Sequence, residues 1–188
     1  MVVWSYSGVR PLYDDGSENP SAVTRDYHLL LDTGTQTNGP PVLSVFGGKI
    51  TTYRRLAEQA MEKLDGRFPG KPAWTHTEAL PGGDLDGRSF RGLLLDCRRR
   101  FPRLPKLWLA RLLRRHGVLA EEIIGDAREE RELGRNFGGG LYECELEYLV
   151  RHEWAREAED VLWRRTKCGL HMSTAEKRGV RDWLAARV

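Results

Sequence analysis

The hydrophobic pattern of this 188-residue chain changes near its middle, and that change most limits what the chain can fold into. Before residue 50 the apolar residues form short runs typical of β-strands, and we predict strands over residues 2–6, 23–31 and 42–46. From residue 90 onward they recur with the spacing of amphipathic helices. We therefore predict an α+β chain in which a short β-strand segment with one helix precedes an all-α C-terminal cap domain.

The boundary between these two parts is marked by composition. Residues 68–87 hold three prolines and four glycines, which interrupt regular structure. We predict a linker over residues 67–89, a helical domain over residues 90–188, and residues 1–66 as the C-terminal part of a larger domain. Because Met1 leads directly into a β-prone run, we also expect the chain to be a piece of a longer protein.

Local end signals set the helix boundaries. Thr51 and Thr52 are predicted to cap the first helix, Gly117 and Gly169 to end later ones, and Ser173 to form a capping box with the glutamate three residues on. The predicted helices cover residues 51–64, 90–100, 104–115, 118–125, 140–153, 156–166 and 173–186.

Charge and cysteine usage exclude several classes of protein. The net charge is only +3, from 30 basic and 27 acidic residues, so no nucleic-acid partner is implied. Cys97, Cys144 and Cys168 are odd in number and form no C-x-x-C pair, so we predict free thiols, no disulfide framework and no metal site. No apolar run approaches the roughly 18 residues that a membrane-spanning helix needs.

The strongest local signal is an apolar strand that runs through Gly47 and Gly48 into a helix. The N–H groups and the dipole at a helix start favour an anion, and Lys49 adds a formal charge. The run lacks both the G-x-G-x-x-G and the G-x-x-x-x-G-K-[ST] patterns, so it is neither a dinucleotide fingerprint nor a P-loop. An anion site and a tight structural turn both remain open.

Two arginines could join such a site. Arg10 follows the first predicted strand and precedes Pro11, while Arg25 opens the second. The guanidinium fork suits a phosphate or a carboxylate. A surface arginine paired with a carboxylate is the alternative at each position.

The helical part offers less specific candidates. His152, Glu153 and Asp160 invite an active-site interpretation, but we predict that Trp154 and Trp163 anchor helix packing. We also predict that arginines nearby pair with Glu153, Glu159 and Asp160. We interpret His28, His76, His116 and His171 as surface or packing residues. The basic faces are solvated surface or contacts to anionic lipid; they comprise Arg98, Arg99, Arg100, Arg111, Arg114 and Arg115.

Five blocks, in order, resemble the aerobic, membrane-associated, FAD-dependent glycerol-3-phosphate dehydrogenases. They cover residues 6–12, 24–27, 43–54, 80–83 and 148–167. The resemblance implies oxidation of sn-glycerol 3-phosphate to dihydroxyacetone phosphate, with electrons passed through FAD to a quinone. By that resemblance Arg10, Arg25 and Lys49 bind the substrate. The residues implied at the flavin are Gly47, Gly48, Lys49, Ile50 and Thr51.

The resemblance also sets expectations for the whole protein and for this chain. It implies a cytoplasmic protein held peripherally on the inner membrane, with a homodimer as one allowed arrangement. The upstream nucleotide-binding segment and catalytic base are absent from these residues, so we assign no catalytic residue and expect this chain alone to be inactive and to bind FAD weakly or not at all. Two alternatives remain: an oxidase that reduces oxygen, and a non-catalytic helical module for assembly or membrane docking.

Overall fold

The computed structural model of the chain describes residues 2, 5–9, 12–14, 16, 24–34, 39–68, 70 and 72–187. The chain divides into an N-terminal unit, Met1–Glu78, and a helical unit, Ala79–Val188. The division falls within the residues predicted as a linker. The strands and helices are β1 (His28–Asp32), β2 (Val42–Phe46), α1 (Tyr53–Leu64), α2 (Phe90–Arg100), α3 (Lys106–His116), α4 (Ala120–Ile124), β3 (Asn136–Gly138), β4 (Leu141–Tyr142), α5 (Glu143–His152) and α6 (Thr174–Ala185).

None of the helices formed by the described residues is both long and apolar enough to cross a bilayer.

The N-terminal unit is built on an antiparallel hairpin in which His28 of β1 lies opposite Phe46 of β2. The second strand begins at His28, five residues later than predicted. Just before His28, two backbone N–H groups donate to side-chain oxygens and not to a neighbouring strand. Thr24 Oγ1 accepts from the Asp26 N–H at 3.2 Å, and Asp26 Oδ1 accepts from the Tyr27 N–H at 3.2 Å. Of the predicted first strand, the described positions 2, 5 and 6 belong to no strand, and the others lie outside the described residues.

The N-terminal unit leaves most of its apolar surface uncovered. Among its described residues only Gly34 is buried. The hairpin is apolar on both faces, because Leu29 and Leu31 are half-buried on one side while Leu30 and Phe46 are exposed on the other. A two-stranded hairpin in water is at best marginally stable, so this unit has the character of part of a larger sheet.

The helical unit has its own hydrophobic core. Among the described residues, all buried hydrophobic side chains lie between Leu93 and Leu184. The centre of this core comes from α3 and α5, through Leu109, Leu112, Leu146 and Leu149. Two predicted end signals are confirmed. Gly117 ends α3 with φ 57, and Ser173 and Glu176 form the capping box that starts α6.

The helical unit departs from an all-α domain at a small hairpin, β3–β4. Gly138, Gly139 and Gly140 all have positive φ, which stops a helix from starting before Glu143. Strands of three and two residues are too short to show the alternation by which a strand is recognised in a sequence.

Two further helix predictions need correction. The helix predicted over residues 156–166 is a π-helix over Asp160–Arg165. Gly169 lies inside a 3-10 turn, Cys168–Leu170, and ends no helix. Lys167, immediately before this turn, takes the left-handed conformation with φ 59.

Candidate functional site

The glycine turn lies between the end of β2 and the start of α1. Gly47 and Gly48 have φ 69 and 105, conformations that favour glycine. A Cβ on Gly48 would also lie 3.2 Å from Leu56 Cδ1, tighter than most side-chain contacts. The two glycines therefore form an abrupt turn before the helix start, and their backbone there carries no side chains.

The start of the helix is uncapped by side chains, contrary to the prediction for Thr51 and Thr52. The Thr52 hydroxyl and the Thr52 N–H both donate to the Lys49 carbonyl at 3.0 Å, so this side chain closes a 3-10 turn over Ile50–Thr52. Neither the turn nor α1 has a side-chain capping bond. Ile50 is 89% exposed and Lys49 is exposed. The N–H groups here thus have no side-chain cap competing with an external anion.

Arg25 and Lys49 lie at the same end of the hairpin. Arg25 comes three residues before His28 and Lys49 three residues after Phe46, and these two strand residues are paired. Both cationic side chains are exposed, and neither forms an ion pair with a residue that the structure describes. The Tyr27 hydroxyl donates to Gln59 Oε1 at 2.7 Å and ties the start of β1 to α1.

Tyr13 extends this end of the hairpin. Its ring stacks on His28 with centroids 4.4 Å apart and lies 5.5 Å from the Phe46 ring. Arg10 itself lies outside the described residues, but Tyr13 follows it by only three positions. Sequence reasoning overlooked Tyr13, because a single aromatic residue in a loop carries no periodic signal.

A groove of about 750 Å³ in the N-terminal unit is a separate feature. It lies between α1 and residues 68, 70 and 72–75, and Glu58, Glu62 and Asp65 are among the residues that line it. Of the predicted phosphate- and flavin-binding residues that the structure describes, none lines it. Three carboxylates repel a phosphate, so this groove is unsuited to the anion that the glycine turn favours.

A buried charged cluster in the helical unit was missed by sequence reasoning. Glu145 is fully buried, and its Oε1 lies 2.9 Å from His116 Nε2 and 3.2 Å from Arg115 Nε. His116 Nδ1 lies 3.6 Å from Glu153 Oε1, and Arg115 Nη1 donates to Cys168 Sγ at 3.1 Å. His116 therefore bridges two carboxylates. The available signal was Glu145 itself, a charged residue four positions before Leu149 on the apolar face of α5.

The predicted basic faces are partly neutralised. Arg99 pairs with Asp96, Arg100 pairs with Glu121, and Arg115 is largely buried against Glu145. Such pairing lowers the positive potential that would attract an anionic surface.

Of two predictions for the segment after α5, one is confirmed and one is wrong. The predicted pairing of its arginines with carboxylates is confirmed, since Arg165 Nη1 lies 3.3 Å and Arg164 Nη1 2.9 Å from Asp160 Oδ1. The predicted packing role of Trp154 is wrong, because the side chain is 78% exposed. Its backbone has a positive φ of 55.

Two of the three cysteines are not activated as nucleophiles. All three are free thiols, as predicted. Burial raises the pKa of Cys97 to about 11 and that of Cys144 to about 12, so both stay protonated at neutral pH.

A glycine turn on a hairpin with uncovered apolar faces, followed by a helical unit with its own core, defines an α+β chain with a helical C-terminal domain. The chain belongs to the family described as the C-terminal domain of alpha-glycerophosphate oxidase, whose model matches residues 73–185. The resemblance to glycerol-3-phosphate dehydrogenases is confirmed by similarity to individual proteins.

Three relatives illustrate this similarity. The chain is 48% identical to the aerobic glycerol-3-phosphate dehydrogenase of Escherichia coli (strain K12) and 45% identical to the D-erythritol 1-phosphate dehydrogenase of Brucella abortus (strain 2308), in each case over 97% of its length. It is 46% identical over 94% of its length to a glycerol-3-phosphate dehydrogenase of Pseudomonas aeruginosa. It spans 36%, 36% and 34% of these relatives, about a third of each.

Proposed function

We propose that this chain is the C-terminal part of an FAD-dependent oxidoreductase that oxidises sn-glycerol 3-phosphate to dihydroxyacetone phosphate. The observation that carries the proposal is the uncapped helix start beside Lys49, at the hairpin end where Arg25 also lies. Similarity to glycerol-3-phosphate dehydrogenases over nearly the whole chain supports it.

The substrate phosphate would be held by Arg10, Arg25 and Lys49. A guanidinium presents several donors in a plane and binds two phosphate oxygens at once, whereas an ammonium acts as a point charge. Each charge-assisted contact contributes on the order of 1.5–3 kcal/mol. The exposed, unpaired state of Arg25 and Lys49 supports this role, because no described carboxylate has to be displaced.

The glycine turn would lie against the flavin ring. FAD, when bound, supplies the two-electron acceptor for the hydride that leaves C2 of the substrate. Gly47 and Gly48 lack side chains that would hold a planar ring away, and Ile50 and Thr51 follow them on the exposed side of the turn. Lys49 and the helix start would stabilise negative charge that develops on the ring's C2 carbonyl.

The rest of the flavin site would come from the upstream two-thirds of the protein. The uncovered apolar faces of the hairpin support this, since an adjoining sheet would bury them. Flavin affinity in such folds rests largely on the nucleotide-binding half, so we propose that this chain alone binds FAD weakly or not at all. For the whole protein we propose quinone as the acceptor and peripheral attachment to the cytoplasmic face of the inner membrane, as a monomer or a homodimer.

Two other candidates have specific support. The family description names alpha-glycerophosphate oxidase, which favours oxygen as an alternative acceptor. The relative from Brucella abortus is named for D-erythritol 1-phosphate, which would present the same phosphate to the same arginines. A purely membrane-docking role for the helical unit is less well supported, because Arg99, Arg100 and Arg115 are paired with carboxylates.

The test uses the full-length protein loaded with FAD. Anaerobic mixing with glycerol 3-phosphate should bleach the flavin, while glycerol at equal concentration should not. D-Erythritol 1-phosphate tests the alternative substrate, and reoxidation by a quinone analogue or by oxygen with peroxide release distinguishes the acceptors. No bleaching by either phosphate would refute the proposed function.

A further inference from the structure

The turn that carries Trp154 combines exposure with an unfavourable backbone conformation. Trp154 is 78% exposed, whereas Trp108 and Trp183 of the same unit are buried. Its φ of 55 lies in the left-handed region, which is costly for a bulky residue. A conformation of this kind persists only where the surroundings determine it, and such positions cluster at binding surfaces.

Hydrogen bonds on both sides of Trp154 impose that conformation. The Arg165 guanidinium donates twice to the Glu153 carbonyl, at 2.9 and 2.6 Å. The Ala155 N–H donates to the Leu149 carbonyl at 3.0 Å, and Ala155 is fully buried. The turn is therefore fixed immediately before and after the exposed ring.

Asp160 fixes the chain that follows the turn. Its Oδ2 accepts from the N–H groups of Arg156 and Glu157 at 2.9 and 3.1 Å. These backbone bonds, foremost that of Arg156, lower the pKa of Asp160 to about 2, so the carboxylate is charged at neutral pH. Trp154 is thus presented to solvent by a prearranged turn, which lowers the entropy lost when a partner binds.

The surface area that Trp154 can bury indicates what kind of partner this turn could bind. One tryptophan buries about 150–250 Å² at most, whereas a stable complex between separate proteins buries about 800 Å² on each partner. A covalently linked partner needs far less, because tethering raises the effective concentration to about the millimolar range. A membrane is disfavoured, since Arg151 and Arg164 beside the turn pair with Glu147 and Asp160.

We propose that the turn over residues 153–156 is a docking element for the upstream portion of the same polypeptide, with Trp154 as the inserted anchor. The inference rests on the proposed function only in taking this chain as the C-terminal part of a longer protein. The relatives indicate how much polypeptide such an upstream portion would comprise, because this chain spans only about a third of their length.

The experiment labels tryptophan with 5-fluorotryptophan in this chain and in the full-length protein. The ¹⁹F resonance of Trp154 is assigned by its loss in Trp154→Phe, and its shift between H₂O and D₂O reports exposure. We expect a clear isotope shift in this chain and its loss in the full-length protein. The resonance of Trp183, buried in the helical unit, is the control and should show little shift in both.

Three outcomes overturn the proposal. An equal isotope shift in both proteins would leave Trp154 without a partner. Loss of the shift in this chain as its concentration rises would assign the turn to a second copy, and loss only with anionic vesicles would assign it to a membrane. Flavin bleaching by glycerol 3-phosphate is measured separately, so failure of the docking proposal is distinguished from failure of the proposed function.

Trp154→Asn provides a second test, because asparagine tolerates the left-handed conformation. The stability of this chain should be unchanged or increased, since an exposed ring loses no packing. In the full-length protein the same substitution should increase hydrogen exchange at residues 153–156. Unaltered exchange there would contradict a docking role for Trp154.

Discussion

The ring of Tyr13 stacks on the ring of His28, with centroids 4.4 Å apart. His28 opens β1 opposite Phe46, the last residue of β2. The stack therefore holds Tyr13 at the hairpin end flanked by Arg25 and Lys49.

Replacement of Tyr13 should weaken substrate binding indirectly. Loss of an aromatic stack costs about 0.5–1.5 kcal/mol, so we expect Tyr13→Ala to raise the KM for glycerol 3-phosphate in the full-length protein by roughly two- to tenfold, with kcat little changed. Tyr13→Phe keeps the stack and should restore the KM. Equal KM values for Tyr13→Ala and the unaltered protein would remove the positioning role.

Gly117 should be far less replaceable than Gly125, although both end helices with φ 57. A Cβ at Gly117 would lie 1.8 Å from the Gly82 carbonyl oxygen, while at Gly125 the nearest atom is 3.9 Å away. Gly125→Ala should cost about 1–2 kcal/mol of unfolding free energy from backbone strain alone. Gly117→Ala should cost clearly more in urea unfolding, and equal losses would show that the close approach to Gly82 is not maintained.

Removal of the buried carboxylate should strongly destabilise the helical unit. Glu145→Ala leaves Arg115 and His116 without their shared partner, which costs about 3–5 kcal/mol for a buried ion pair. The matched control is Glu121→Ala, which breaks the exposed pair with Arg100 and should cost at most about 1 kcal/mol. Chemical denaturation of this chain measures both, and a small loss at Glu145 would contradict the cluster.

Acid should remove a stabilising contribution from Asp160. Its pKa is lowered to about 2 in the folded chain, chiefly by the Arg156 N–H, from the ordinary value of 3.8 for an aspartate. A lowered pKa stabilises the fold above the unfolded value, and this stability is lost as pH falls through about 2. Near pH 6 Asp160→Asn should cost about 2 kcal/mol, and that difference should shrink toward pH 2. If the cost of Asp160→Asn did not change with pH, the lowered pKa of Asp160 would be contradicted. The control is Asp182→Asn, which removes the same charge from an exposed position.

Local patterns predicted much of this fold, and contacts between distant residues account for most of what was missed. The periodicity of residues 90–100 gave the bounds of α2, and Ser173 with Glu176 gave the start of α6, because both signals lie within one helix. The exposure of Trp154 depends on Arg165, eleven residues away, so neighbouring sequence could not reveal it. Burial of Glu145 likewise depends on packing against α3.

The same distinction holds for the candidate site. The glycine turn is recognisable from the sequence because strand, glycines and helix are consecutive. The shared position of Arg25 and Lys49 depends on the pairing of His28 with Phe46, a register that hydrophobic periodicity alone does not fix.

The dissociation constant of glycerol 3-phosphate from the FAD-loaded full-length protein, followed by flavin absorbance, tests the central claim most directly. We predict that Arg10→Ala and Arg25→Ala each raise it about 10- to 100-fold, as expected for loss of a charge-assisted contact. Arg67→Ala, in the turn that follows the C-terminal end of α1, should leave it unchanged. Values unchanged in both Arg10→Ala and Arg25→Ala would contradict the claim that this end of the hairpin binds the substrate phosphate.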